Sequence, residues 1–306
     1  MSDNDPIANP GPGARGPAAE APFTVFAPAE LRAPLILVSP HSGADYPASF
    51  VAASRLDAVA LRGSEDAFVD ELFAAAPELG VPLLAARYPR AYLDVNREPW
   101  ELDPEMYDDE MPDYVNATSL RVAGGLGTVA RVVANGTEIY AGKLRFAEAV
   151  DRVEKIYAPF HAALKDLIDQ AVAAFDCAVV VDCHSMPSVG GPMDQDSGRR
   201  RADIVLGDRF GSSCHSSVIR ACEVSFKDLG YDVARNAPYA GGFTTRNYGR
   251  PAAGIHTMQI EINRGLYMDE KTVTRLPGIT AIRDHMTAVI AGLVALDQAP
   301  LPVRQR

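Results

Sequence analysis

Three observations predict an α/β fold, a single domain whose mixed, mostly parallel sheet is flanked by helices. Short apolar runs, "LILV" (35–38), "CAVVVDCHS" (177–185) and "HTMQIEINR" (256–264), have the length and β-branched content of buried strands. Longer amphipathic stretches separate the apolar runs, as the crossovers between parallel strands require. Several runs also carry polar, chemistry-bearing residues at or near their carboxyl ends, where open α/β sheets gather ligands.

Residues 1–22, "MSDNDPIANPGPGARGPAAEAP", are rich in Pro, Gly and Ala, lack a basic start before an apolar block, and read as a disordered tail rather than a secretory signal. The domain is expected over 23–296, with 297–306 as a second tail. "LILV" is the first strand. "SEDAFVDELFAAAPELG" (64–80) reads as a helix capped by Ser64, with acids in its first turn and Gly80 to stop it. "PLLAARY" (82–88) and "AYLDVNR" (91–97) are strand-like. Residues 98–136 are acidic, then glycine-rich, and read as a long functional loop containing a short hairpin. A helix over 143–175 is expected to break near Pro159. After the strand at 177–185 come a strand at 202–208, a helix at 216–230 stopped by Gly230, the strand at 256–264 and a final helix over about 270–296.

The 306 residues are 47% hydrophobic, enough for a sizeable core, and carry a net charge of −11, which argues against broad nucleic-acid or anionic-membrane binding. The 4 cysteines show no CxxC pairing, so free thiols and a reducing, cytoplasmic compartment are expected. No apolar run approaches the roughly 20 residues needed to span a bilayer.

"LILVSPHSG" and "VVVDCHS" share one pattern: an apolar strand, a histidine, then serine. Glu261 lies inside the apolar run "MQIEI". Asp94 and Asn96 alternate with Leu93 and Val95 and so share a face, with Arg97 following. Charged groups on buried strands are costly unless paired or bound to a metal. Two histidines and a carboxylate around an open position form a common catalytic zinc site, and a further carboxylate would serve as general base. The bland readings are turn or core histidines and ion-paired acids; the repetition of the pattern favours a site.

In order along the chain, "SPHSGADYP", "SEDAFVDELF", "YLDVNR", "DCHSMPS", "LGDRFGSSC", "GGFTTRNYGRP" and "HTMQIEINRGLYMDE" resemble the N-formylglutamate amidohydrolase (N-formylglutamate deformylase) family over about residues 34–270. The resemblance implies a fold like that of the distantly related zinc carboxypeptidases. It also implies hydrolysis of N-formyl-L-glutamate to formate and L-glutamate in histidine degradation, with one divalent metal, zinc being expected. His41 and His184 match the metal histidines. The acid ligand is open between Asp66, Asp45 and Glu65; Asp66 is favoured because the family block keeps an aspartate there. Glu261 matches the carboxylate that activates water.

The implied substrate is a small dicarboxylate, which calls for cations that do not titrate. Asn96-Arg97 resembles the pair with which zinc carboxypeptidases hold a terminal carboxylate, and Arg246 lies in a glycine-flexed loop. A guanidinium fork meets a carboxylate with two hydrogen bonds. Arg87 and Arg264 are weaker candidates, equally readable as ion-pair residues. His256 is expected either near the scissile carbonyl or as a buttress of the sheet. A cysteine hydrolase built on Cys183 and His184 is excluded, because neighbouring strand residues point to opposite faces. Two alternatives remain: a metal hydrolase of another N-acyl amino acid or peptide terminus, and a metal-containing solute-binding protein.

Overall fold

In the computed structural model, residues 21–296 are described apart from 134, 135 and 193. The tails expected at 1–22 and 297–306 thus fall outside the described residues, except for Ala21 and Pro22.

The chain opens with β1 (Phe23–Phe26) and β2 (Leu35–Ser39). Three short helices follow, α1 (Ala48–Ala53), α2 (Ala58–Leu61) and α3 (Val69–Leu72), then β3 (Leu83–Ala86). After α4 (Leu120–Ala123), α5 (Phe146–Arg152) runs through a π-helical turn, Val153–Tyr157, into α6 (Ala158–Phe175). β4 (Ala178–Met186), β5 (Ile204–Gly207), α7 (Ser216–Asp228) and β6 (Val233–Arg235) come next. The described chain finishes with α8 (Phe243–Tyr248), β7 (Ile255–Asn263), the two-residue strands β8 (Met268–Asp269) and β9 (Thr274–Arg275), and α9 (Ile279–Ala295).

The main sheet has 7 strands in the order β1-β3-β2-β4-β7-β5-β6. Its centre, β3-β2-β4-β7, is parallel, while β1 runs antiparallel to β3 and β5 antiparallel to β7. Each face of the sheet has its own apolar core. Leu35, Leu37, Val179, Val181, Cys183 and Ile260 pack with residues of α3, α7 and α9 on one face. Ile36, Val38, Ala178 and Val180 pack with α5 and α6 on the other. Burial on both faces explains why the central strands are almost uninterrupted apolar runs. Cys183 belongs to the first core, so it faces away from its neighbour His184.

Several elements differ from the sequence reading. Residues 91–97 form turns, not a strand. The amides of Tyr92 and Leu93 bond to Pro89 O, that of Asp94 to Thr128 O, and that of Asn96 to the Asp94 side chain. No neighbouring strand completes a ladder there. The expected helix at 64–80 shrinks to α3 and a 3₁₀ turn, Ala76–Leu79. Phe68, at φ 67°, breaks the helical path, and the Asp66 amide bonds to His41 O, outside any helix. The final helix starts at Ile279, after the small β8–β9 ribbon. At Pro159 the helix does not end; the regular α-helical ladder is instead interrupted just before the proline by the π-helical turn Val153–Tyr157, where the carbonyl register shifts. In the 98–136 loop, Leu126 O accepts from Arg97 Nε at 2.9 Å and Thr128 O accepts from the Asp94 amide at 2.8 Å.

Candidate active site

The adjacent strands β2, β4 and β7 bring the site together at their carboxyl ends. β4 and β7 are in register with His184 opposite Glu261 and Asp182 opposite Gln259. With a side-chain period of two, all four lie on the face that carries Ala178 and Val180 lower down. His41 follows β2 in a tight turn in which Ser39 Oγ donates to Ser42 Oγ at 2.8 Å. The turn requires Gly43: a Cβ there would stand 2.4 Å from Tyr88 O and 2.6 Å from Arg87 O.

Three donor atoms converge. His184 Nδ1 lies 3.1 Å from His41 Nδ1 and 3.0 Å from Asp66 Oδ2, and His41 Nδ1 lies 3.3 Å from Asp66 Oδ2. His41, Asp66 and His184 are 2%, 1% and 3% exposed. The opposite edge of each ring meets a carboxylate: His41 Nε2 is 2.7 Å from Asp94 Oδ1, and His184 Nε2 is 3.0 Å from Asp182 Oδ2. A proton held at each Nε2 leaves both Nδ1 lone pairs aimed, with a carboxylate oxygen, at one point. Such a donor set, with carboxylates on the outer nitrogens, could hold a metal ion. Donor separations also fit, since a tetrahedral site with bonds near 2.0–2.1 Å has edges of about 3.3–3.4 Å.

The electrostatics favour positive charge at that point. Burial opposes a charge on His184, yet Asp182 and Asp66 raise its pKa well above the ordinary imidazole value. Burial would also raise the Asp66 carboxyl, but hydrogen bonds to His184 and His41 and the charge of Arg264 hold it well below the usual range. Asp94 is likewise held low against its burial, chiefly by Arg90 and Arg97. Burial pushes Glu261 up to about 7 against the pull of His184, with the like charge of Asp66 adding to the rise. Gln259 Nε2 donates to Glu261 Oε1 at 2.8 Å, which leaves Oε2 as the oxygen able to exchange a proton.

Of the three acids weighed as ligand, the structure brings Asp66 to the histidines. Glu65 is bound by both Arg62 Nε and Nη2, at 2.9 and 2.8 Å, and by the Tyr46 hydroxyl. Asp45 pairs with Arg87 at 2.9 Å. Arg264 donates from Nη2 to Asp66 Oδ1 at 2.8 Å, so its guanidinium is engaged inside the cluster.

The residues expected to bind substrate are arranged differently. Arg97 is buried; its Nε and Nη1 donate to the carbonyls of Leu126 and Asn96, and its Nη2 lies 3.6 Å from Asp94 Oδ2. Arg246 is half exposed, pairs with Glu98 and lies over the Phe243 ring. Asn96 does not face an open cleft, since its amide joins Asp182 to Thr244. His256 is not brought to the cluster. It pairs in register with Val179, five residues before Glu261 on β7, and its Nδ1 accepts from the His215 amide at 3.2 Å. Strand rise alone places it some 16 Å from Glu261.

Sequence reasoning missed Arg90, which donates to Asp94 Oδ2 at 2.7 Å and retains partial exposure beside the cluster. It also assigned nothing to Asp182, although an acid two residues before a strand-end histidine shares its face. Tyr239, whose hydroxyl accepts from Arg201 Nη1 at 2.9 Å, lies within electrostatic reach of Glu261. His161 ties α8 to the turn that carries Asn96: its ring nitrogens meet the Tyr248 hydroxyl at 2.7 Å and Val95 O at 2.8 Å, and burial pushes its pKa down to about 4.

Residues 33–268 match the family described as N-formylglutamate amidohydrolase. N-formylglutamate deformylase from Pseudomonas aeruginosa is 30% identical over 244 residues, covering 78% of this chain and 84% of that protein. Its namesake from Pseudomonas putida is 28% identical over 243 residues, with 78% and 83% covered. The crystal structure of N-formylglutamate amidohydrolase from Ralstonia eutropha JMP134 superposes with a TM-score of 0.83 at 36% identity, covering 91% of this chain and 99% of that one.

Proposed function

The chain belongs to the N-formylglutamate amidohydrolase family, and from that premise we propose that it hydrolyses N-formyl-L-glutamate to formate and L-glutamate in histidine degradation. The observation that carries the reading is the convergence of His41 Nδ1, His184 Nδ1 and Asp66 Oδ2 on one buried point beside Glu261. These three residues would hold one divalent metal, zinc by their N and O donor types. When bound, the metal supplies Lewis-acid activation of a water molecule and of the formyl oxygen.

The protein's own groups do the rest. Asp94 and Asp182 hold the two imidazoles in the tautomer that leaves Nδ1 free to ligate. Glu261 Oε2 takes a proton from the attacking water as the water oxygen bonds to the formyl carbon. It returns that proton to the glutamate nitrogen as the C–N bond breaks, and the hydroxyl proton left on the formyl product then passes to the freed amine, so formate and the ammonium form of glutamate leave and the carboxylate is restored. A pKa near 7 suits a group that must accept and then donate. Arg90, Arg97 and Arg246 supply positive charge for the two substrate carboxylates; Arg90 is the partly exposed member nearest the cluster.

Formate release from N-formyl-L-glutamate, measured before and after chelation and again after zinc is restored, tests the reading. Activity should vanish on chelation and return with metal. Zinc uptake without formate release would favour another N-acyl amino acid as substrate.

A further inference from the structure

Asn96 is enclosed, at 2% exposure, and its amide is used at both ends. Oδ1 accepts from the backbone N–H and the hydroxyl of Thr244, at 2.7 and 2.9 Å. Nδ2 donates to Asp182 Oδ2 at 3.0 Å and lies 3.1 Å from His184 Nε2. Because a backbone N–H can only donate and an amide oxygen can only accept, the Thr244 N–H fixes which end is which, and Nδ2 must face Asp182. The turn before α8 lies flat on this amide. A Cβ at Gly242 would stand 2.7 Å from Asn96 Nδ2 and 2.9 Å from Oδ1. The same turn has a second attachment: the Gly242 amide donates to Gln259 Oε1 at 3.0 Å, and Gln259 in turn holds Glu261. One short turn therefore touches two arms, one leading to His184 and the other to Glu261.

We propose that Asn96 is a positioning residue that couples metal binding at His184 to the order of the 242–248 segment, through Asp182 on one side and Thr244 on the other. The inference rests on the proposed His41–Asp66–His184 metal site and concerns how that site is linked to the rest of the chain. Asp182 can fix the His184 ring only if its own carboxylate is fixed, and Asn96 Nδ2 is the group that fixes it. The link is reciprocal, as any coupling between binding and order must be. Metal at His184 tightens the segment, and loosening the segment weakens the metal.

The test uses the full chain, stripped of metal and titrated with zinc. Zinc affinity is measured by competition with a chelator, and amide hydrogen exchange over 242–248 is followed with and without zinc. In the wild type one zinc should bind, and exchange in 242–248 should slow. Asn96→Ala should bind zinc about 10–100-fold more weakly, the usual scale for an outer-shell partner, and zinc should no longer slow exchange in the segment. Thr244→Val, which removes one of the two hydrogen bonds and keeps the side-chain shape, should weaken zinc by roughly threefold to tenfold; it carries the test if Asn96→Ala does not fold. Gln259→Met, which frees the Gly242 amide but leaves the Asn96 arm intact, should weaken zinc less than Thr244→Val does, by no more than about threefold, while lowering kcat. Wild-type zinc affinity in both Asn96→Ala and Thr244→Val, or zinc-dependent protection of 242–248 that survives in them, would overturn the coupling alone. Failure of the wild type to take up zinc would overturn the metal site and the coupling together.

Discussion

Glu261→Gln separates the proposed proton transfer from metal binding and from folding. The substitution keeps the side-chain shape, and its carbonyl oxygen can still accept from Gln259 Nε2, now 2.8 Å from Oε1. What is lost is the ability of the second oxygen to take and return a proton. Turnover should fall by about 10²–10⁴, or roughly 3–5 kcal/mol in the barrier, with the zinc content unchanged. The metal-free protein gives an independent readout. Burial first, then the like charge of Asp66, raises the Glu261 carboxyl to about 7 from an ordinary value of 4.5. With the folded pKa above the unfolded one, the folded state binds the extra proton. The associated stability is complete below about pH 4.5 and is lost as pH rises through about 7. Glutamine has no charge to bury, so the metal-free variant should gain on the wild type at pH 8 by up to about 3 kcal/mol, and by little at pH 5. Urea unfolding of both proteins at the two pH values measures the difference. Near-wild-type turnover in the zinc-loaded variant would refute the proton-transfer role. Loss of zinc would make Glu261 a ligand, and equal stability at pH 8 would refute the burial argument.

The other expectations are simpler. His41→Ala and His184→Ala, singly or together, should abolish both zinc uptake and formate release; full zinc occupancy in the double variant would rule out the ligand set. Asp94→Asn, which replaces the carboxylate 2.7 Å from His41 Nε2, should weaken zinc about 10–100-fold, read by chelator competition. Arg97→Lys should lower kcat/KM for N-formyl-L-glutamate and cost about 1–3 kcal/mol of stability, because the Leu126 and Asn96 carbonyls lose a fixed fork of donors. An unchanged unfolding midpoint and specificity constant would contradict that. Gly43→Ala should destabilise by about 1–3 kcal/mol and weaken zinc as well, since the added Cβ meets backbone at 2.4 Å and the neighbouring His41 must move with the turn. A fully stable variant would show that the turn yields freely.

Much of this protein could be read locally. The buried strands around 36, 180 and 260 announce themselves as apolar runs because both faces of a central strand meet a core. The same runs put His41, His184 and Glu261 at strand ends or on one face, since the period of two is a property of the chain itself. The long helices at α6 and α7 follow from their amphipathic spacing in the same way. The "LDVNR" alternation misled for a related reason: it satisfies a strand's pattern, yet no partner strand meets it, and its amides go to turns. The family block favours Asp66, but local spacing cannot separate it from Glu65, because what distinguishes them is Arg62 capturing one acid while the turn after β2 presents His41 to the other. The contacts that make the site join residues far apart in sequence: 25 positions for His41 and Asp66, 143 for His184 and His41, 148 for Thr244 and Asn96. Local periodicity carries no term for such pairs, so residue type and strand position are sequence properties, while which donor meets which acceptor belongs to the fold.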